Sequence, residues 1–303
     1  MSQTSNLTVL SSSIPTNLYR HGGPILMIMG TIGSILSLIV FTKKNLRKNP
    51  CSIYFTAFNI ANIFLIYLSL FITVLALGYN INPSLYNRTF CRFRFYAMVL
   101  FDVLNPSYLI LASIDRLLIT SPRVRIRHRS TPRLAYLCIL SVTLFWCLIH
   151  IHTLIFTDII EPMPNLIICY LQPGIHLMIT SYYSISIKGI LIPLLMIIFG
   201  LWTHRNIRTT RVHPTHPKDS QLIRLLLTDI SVYIVFSLMI SIVLMYQYLS
   251  SRSRTEITSP NIQMQVFLVS IGLFNSYIPF SIVFYTNLLV SKSFRQEVRS
   301  VFK

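Results

Sequence analysis

Cys91 to Pro122 reads CRFRFYAMVLFDVLNPSYLILASIDRLLITSP. A cysteine and two arginines open the stretch, an apolar run follows, and Asp115-Arg116 closes it before a basic loop. Cys91 and Asp115 are 24 residues apart. As an α-helix that is about 36 Å, slightly more than a hydrocarbon core of about 30 Å. One helix can therefore set a cysteine at one membrane face and an acid–arginine pair at the other. Working outward from it, six further apolar runs are predicted as spanning helices: 24–42, 52–78, 134–156, 181–202, 222–249 and 263–290.

Composition agrees. The chain of 303 residues is 53% hydrophobic and only 11% charged, with mean hydropathy +0.62. Soluble domains carry about 25% charged residues, so this is the composition of an integral membrane protein. The net charge of +18 would suit nucleic acid, but the basic residues cluster beside the spans. Nineteen of the 26 lysines and arginines flank one set of alternating loops and the C-terminal segment. That bias predicts the N-terminus outside and the C-terminus inside. Nucleic acid is excluded as a partner, and anionic membrane lipid is expected at the basic face.

This topology organises the remainder. The polar segment 1–23 is expected to be an extracellular tail, 24–290 the bundle, and 291–303 a cytoplasmic amphipathic helix and tail. Phe294, Val298, Val301 and Phe302 share one helical face in that last segment. Gly30, Gly33, Ser34 and Ser37 suit close packing of the first helix. The sequons at Asn6 and Asn87 face outward and are expected to be glycosylated. Cys91 and Cys169 are the two cysteines on the outer side, and a disulfide is the simple reading. It would hold the loop 157–180 over the third helix and stabilise by about 2–4 kcal/mol. No metal spacing, phosphate loop or nucleophile motif occurs, so no cofactor, metal or enzymatic activity is expected.

Two membrane acids stand out. A charge at a span centre costs about 2.5–3.5 kcal/mol and usually faces a partner inside the bundle. Asp102 can meet a cationic ligand group or pair with Lys188 of the fifth span, and both readings stay open. Asp229 lies near the inner half of the sixth span.

A third helix beginning in a cysteine and ending in Asp115-Arg116 resembles that of the rhodopsin-like (class A) G-protein-coupled receptors, whose triplet continues with tyrosine where this chain has Leu117. Trp146, Pro193 and the run Ser291-Lys292-Ser293-Phe294-Arg295 resemble the family's fourth-helix tryptophan, fifth-helix proline and eighth helix. Several positions depart. Ser34 follows Gly33 where asparagine is usual, and Asn62 stands for the second-helix aspartate. Ser237 and Met239 replace the sixth-helix tryptophan and proline, and Asn287 falls at the seventh-helix tyrosine. Overall the chain looks like a divergent invertebrate receptor of the peptide type.

The resemblance implies an all-α seven-transmembrane helix bundle in the plasma membrane. It would take an extracellular ligand, a peptide being compatible, and pass its signal to a heterotrimeric G protein. Asp115, Arg116 and Asp219 would form the coupling switch, with Asp219 pairing with Arg116 or capping its own helix. Met98, where amine receptors carry their aspartate, joins Asp102 and Lys188 as a ligand-binding candidate. Asn62, Asn105 and Ser281 would form a neutral hydrogen-bonded core, or simple polar packing between helices worth about 1 kcal/mol or less each, without the carboxylate that binds sodium in the family. The alternatives are a membrane transporter or channel using the buried charges, and a receptor-like protein that no longer couples.

Overall fold

The computed structural model describes residues 13–301 apart from 45, 122, 164–165, 173–174, 210–216 and 253–258. Among these residues, seven long helices follow one another: α1 (Ser13–Phe41), α2 (Pro50–Gly78), α3 (Arg88–Ile119), α4 (Pro132–Phe156), α5 (175–209), α6 (Pro217–Arg252) and α7 (Ser259–Val290). A short α8 (Lys292–Arg299) closes the chain. Among the described residues, six helices are long and apolar enough to cross a membrane. Their apolar side chains point the wrong way for water. Ile25, Ile28, Ile32, Ile35 and Ile39 form an exposed stripe on α1. The most apolar window of α4 is only 11% buried inside the protein. Such faces are stable against lipid, and the chain is a multi-pass membrane protein.

α3 lies at the centre, packed against α2, α4, α5 and α6. Its helical start is explained by Asn87, whose Oδ1 accepts from the backbone of Thr89 and Phe90 at 2.8 and 3.3 Å. This satisfies donors a helix leaves open at its first turn. Thr131 and Ser291 do the same for α4 and α8.

Prolines shape two helices. Pro24 has no N–H to give Arg20, and a π turn over Leu18–Gly22 precedes it. Tyr79 Oη donates instead to the Arg20 carbonyl at 3.3 Å. Pro193 of α5 likewise follows a π segment, Ser184–Leu191. α6 has no internal proline and runs as unbroken α-helix.

The structure departs from expectation at two places. α1 begins at Ser13, not at Pro24, so part of the segment expected as tail is helical. The reason is packing: Tyr19 is fully buried, stands edge-on to Phe274 of α7, and donates to the Ser270 carbonyl at 2.9 Å. The expected loop 157–180 contains a hairpin, β1 (Thr157–Met163) against β2 (Leu166–Leu171), antiparallel, with Ile159 opposite Cys169. α5 then starts at Ile175.

Gly30 and Gly33 sit where helices touch. A Cβ on Gly30 would lie 2.6 Å from Ile66 Cδ1, and one on Gly33 2.8 Å from Phe284 Cβ. α8 lies across the foot of the bundle with Phe294 1% exposed, its ring 5.9 Å from Phe41 and 5.8 Å from Phe284. Lys43 Nζ ties α8 down by donating to Glu297 O and Ser300 Oγ, both at 2.6 Å.

Candidate functional site

The two ends of α3 carry different chemistry. At the first, Cys91 is bonded to Cys169, joining the hairpin to α3. Asp158 of β1 strengthens the joint. It accepts both Nε and Nη2 of Arg88, lies 4.0 Å from Arg92, and takes the Ile159 N–H at 2.9 Å. Chiefly the Arg88 hydrogen bond, then that of Ile159, holds its carboxyl down at about 2. Arg92 Nε also donates to the Thr157 carbonyl at 3.0 Å.

At the other end Arg116 is completely buried. Its Nη2 donates to Asp115 Oδ2 and to Asn49 Oδ1, each at 2.8 Å. Asn49 also caps α2 by accepting from the Cys51 N–H at 3.0 Å. Asp115 is held from its far side by Ser130 Oγ. The arginine is thus shut among α2, α3 and the segment before α4. Charge-assisted bonds of this kind are about twice as strong as neutral ones. Asn49 and Ser130 were not among the predicted residues; an asparagine before Pro50 signals only a helix cap.

Between the ends lie the membrane acids. Asp102 is paired with Lys188 across α3 and α5, with side chains 25% and 21% exposed. The pair lines a cavity of about 40 Å³ with Tyr233, Ser237, Ser276 and Phe280, room for about three waters. Met98 lies one turn nearer the disulfide on α3 and is half-buried. Asp229 is 2% exposed on α6, and the Asn287 side chain of α7 lies beside it.

The predicted polar trio does not form a network. Asn62 donates instead to Ser34 Oγ at 2.8 Å and to the Phe280 carbonyl at 2.7 Å. Ser281 Oγ turns back on its own helix to the Tyr277 carbonyl at 3.2 Å. The Asn105 side chain, fully buried, has no hydrogen-bond partner among the described residues. The reason is donor count: Ser34 of α1 and Phe280 of α7 take both hydrogens of the Asn62 amide, which leaves none for α3. Two positions that depart from the resembled pattern, Ser34 and Asn62, are thereby matched to each other. Trp146 Nε1 donates to Ser107 Oγ at 3.0 Å, holding α4 to α3. His150 and His152 engage different partners, Tyr183 Oη and the Ile149 carbonyl. Asn6 and the side chain of Asp219 lie outside the described residues.

The sequence model of the 7 transmembrane receptor (rhodopsin family) matches residues 33–279, most of the chain. No curated protein matches.

Proposed function

Because the chain belongs to the rhodopsin family of seven-transmembrane receptors, we propose that it converts the binding of an extracellular ligand into engagement of an intracellular heterotrimeric G protein. The observation that carries this reading is the closed Arg116, buried on Asp115 and Asn49 at the end of α3 opposite the disulfide. A ligand acts by binding an open arrangement more tightly than the closed one, which shifts the population. Opening requires Arg116 to leave Asn49 and α6 to move away from the end of α3. Asp219, in the first turn of α6, is the proposed second anchor of Arg116. Asp102 and Lys188 sit at the depth where a ligand group would compete for one of them, with Met98 above. A peptide is the proposed ligand type.

The proposed orientation puts the N-terminus and the hairpin outside and α8 inside the plasma membrane. It is supported by the excess of basic residues at the Arg116 end and by the disulfide at the other. Those basic residues also favour anionic lipid, by about 1 kcal/mol each near the surface. Glycans are proposed at Asn6 and Asn87. Asn87 is exposed, and its cap on α3 uses Oδ1 and not the amide nitrogen that would carry the glycan.

The test is a ligand screen that reads second messengers in cells expressing the full chain, with Arg116→Ala alongside. An activator whose response Arg116→Ala abolishes is expected. A response of undiminished size in Arg116→Ala would refute the coupling role. For Asp219, unchanged basal signalling in Asp219→Asn would remove it from the switch.

A further inference from the structure

The cations near the disulfide are not all neutralised. Among the described residues of this end, Arg88 and Arg92 share Asp158, and Lys188 of the bundle has Asp102. Arg94 has no such carboxylate among the described residues, although it lies within the α3 span. It reaches α2 and the turn Pro83–Leu85 that precedes α3. Nη2 donates to Thr73 Oγ1 at 3.0 Å and Nη1 to Ser84 Oγ at 3.3 Å. Both acceptors are neutral and buried, at 7% and 0% exposure. The Nε atom is buried with no acceptor. A guanidinium carries five N–H donors in a rigid fork, and two are used here.

The surroundings are arranged around hydroxyls. Thr73 Oγ1 donates to the Ser69 carbonyl at 2.8 Å, and Ser69 Oγ bonds Tyr277 Oη at 2.7 Å. This chain of neutral groups joins α2 to α7 beside the arginine. It positions the guanidinium without satisfying its charge. A cation inside a span normally has a partner, and one without points to a functional site. The three unused donors, Nε and one hydrogen on each Nη, match a planar carboxylate held by two parallel bonds, and reaching the enclosed Nε requires the surrounding side chains to part. The residue is only partly exposed, so the bonds would form largely out of water.

We propose that Arg94, positioned by Thr73 and Ser84, binds a carboxylate of the ligand. This rests on the reading of the chain as a receptor for an outside ligand, and it adds the chemical class of one recognised group. The acid group is drawn to the α2–α3 side of the bundle, about two turns from the Asp102–Lys188 pair along α3.

The experiment uses the full chain in lipid nanodiscs, where binding needs no G protein. Failure to couple therefore leaves this test intact. Three probes are titrated to about 10 mM, the range of weak fragment binding, and read by thermal shift: N-acetylphenylalanine, its carboxamide, and N-acetylaspartate amide. The expected result is that an acid binds about tenfold to a hundredfold more tightly than the carboxamide. Arg94→Gln should erase that preference. Arg94→Lys, which keeps the charge but loses the fork, should reduce it without erasing it. The tighter of the two acids identifies a main-chain or a side-chain carboxylate as the group recognised. Equal binding of acid and carboxamide, no acid binding at that concentration, or a full preference retained in both variants would overturn the proposal.

Discussion

Removing one member of the Asp102–Lys188 pair should cost far more than its own contacts. Both side chains lie inside the bundle with a quarter or less of their surface exposed. Lys188→Met leaves a carboxylate there, and Asp102→Asn leaves an ammonium. Breaking a fully buried pair costs about 3–5 kcal/mol, and an unpaired charge in a span costs about 2.5–3.5 kcal/mol on insertion scales. The partial exposure and the adjoining cavity, large enough to admit water, reduce this, so each single variant should lose about 2 kcal/mol. The double variant Asp102→Asn/Lys188→Met leaves no charge stranded and should lose about 1 kcal/mol. The cycle then gives a coupling of about 3 kcal/mol, well outside the roughly 0.5 kcal/mol within which independent sites add. Reversible unfolding of the full chain in detergent, followed by tryptophan fluorescence, measures all four proteins. Additive losses would refute the pairing. A double variant worse than either single would refute the charge argument itself.

Three more outcomes are expected. Cys91→Ser, Cys169→Ser and the double variant should each lose the same amount, about 2–4 kcal/mol, because one bond closing a separation of 78 residues is lost in every case; unequal losses in unfolding assays would contradict that bond. Asp158 is depressed from its ordinary 3.8 to about 2, so its contribution is present above about pH 4 and fades as pH falls towards 2. The stability gap between the native chain and Asp158→Asn should close over that window, and a gap unchanged from about pH 5 to pH 2 would oppose the Arg88 bond as its cause. Gly78→Ala should destabilise by about 1–3 kcal/mol, because a Cβ there would stand 2.9 Å from the backbone nitrogen of Arg20, and backbone yields less readily than a side chain; a neutral substitution by thermal melt would mean that α1 and α2 separate freely.

What the sequence determined by itself was everything governed by length and periodicity. A span must be about 20 apolar residues long to cross a bilayer, so the helices could be read off one after another, and α3 with its cysteine and its acid–arginine end stood out. The amphipathic face of α8 and the pairing of Cys91 with Cys169 followed from the same bookkeeping of sides. The hairpin was missed although it left a trace: two apolar, β-branched runs flank Pro162, Pro164 and Asn165, a turn signature hidden by the assumption that a connection is a loop. The early start of α1 was missed because its anchor, Tyr19 to Ser270, spans 251 residues. Only the tertiary structure decided who partners whom. Asp102 could have met Lys188 or a cationic ligand group, Asn62 could have met Asn105 and Ser281, and Arg116 could have met Asp219 or another polar group near its end of the bundle. Arg94 looked like one more basic residue beside a cysteine until its neighbours proved to be hydroxyls. The physical reason is common to all four. A sequence gives each polar group's cost of burial, but the compensating bond lies across helices 21 to 218 residues away, and helix packing chooses it.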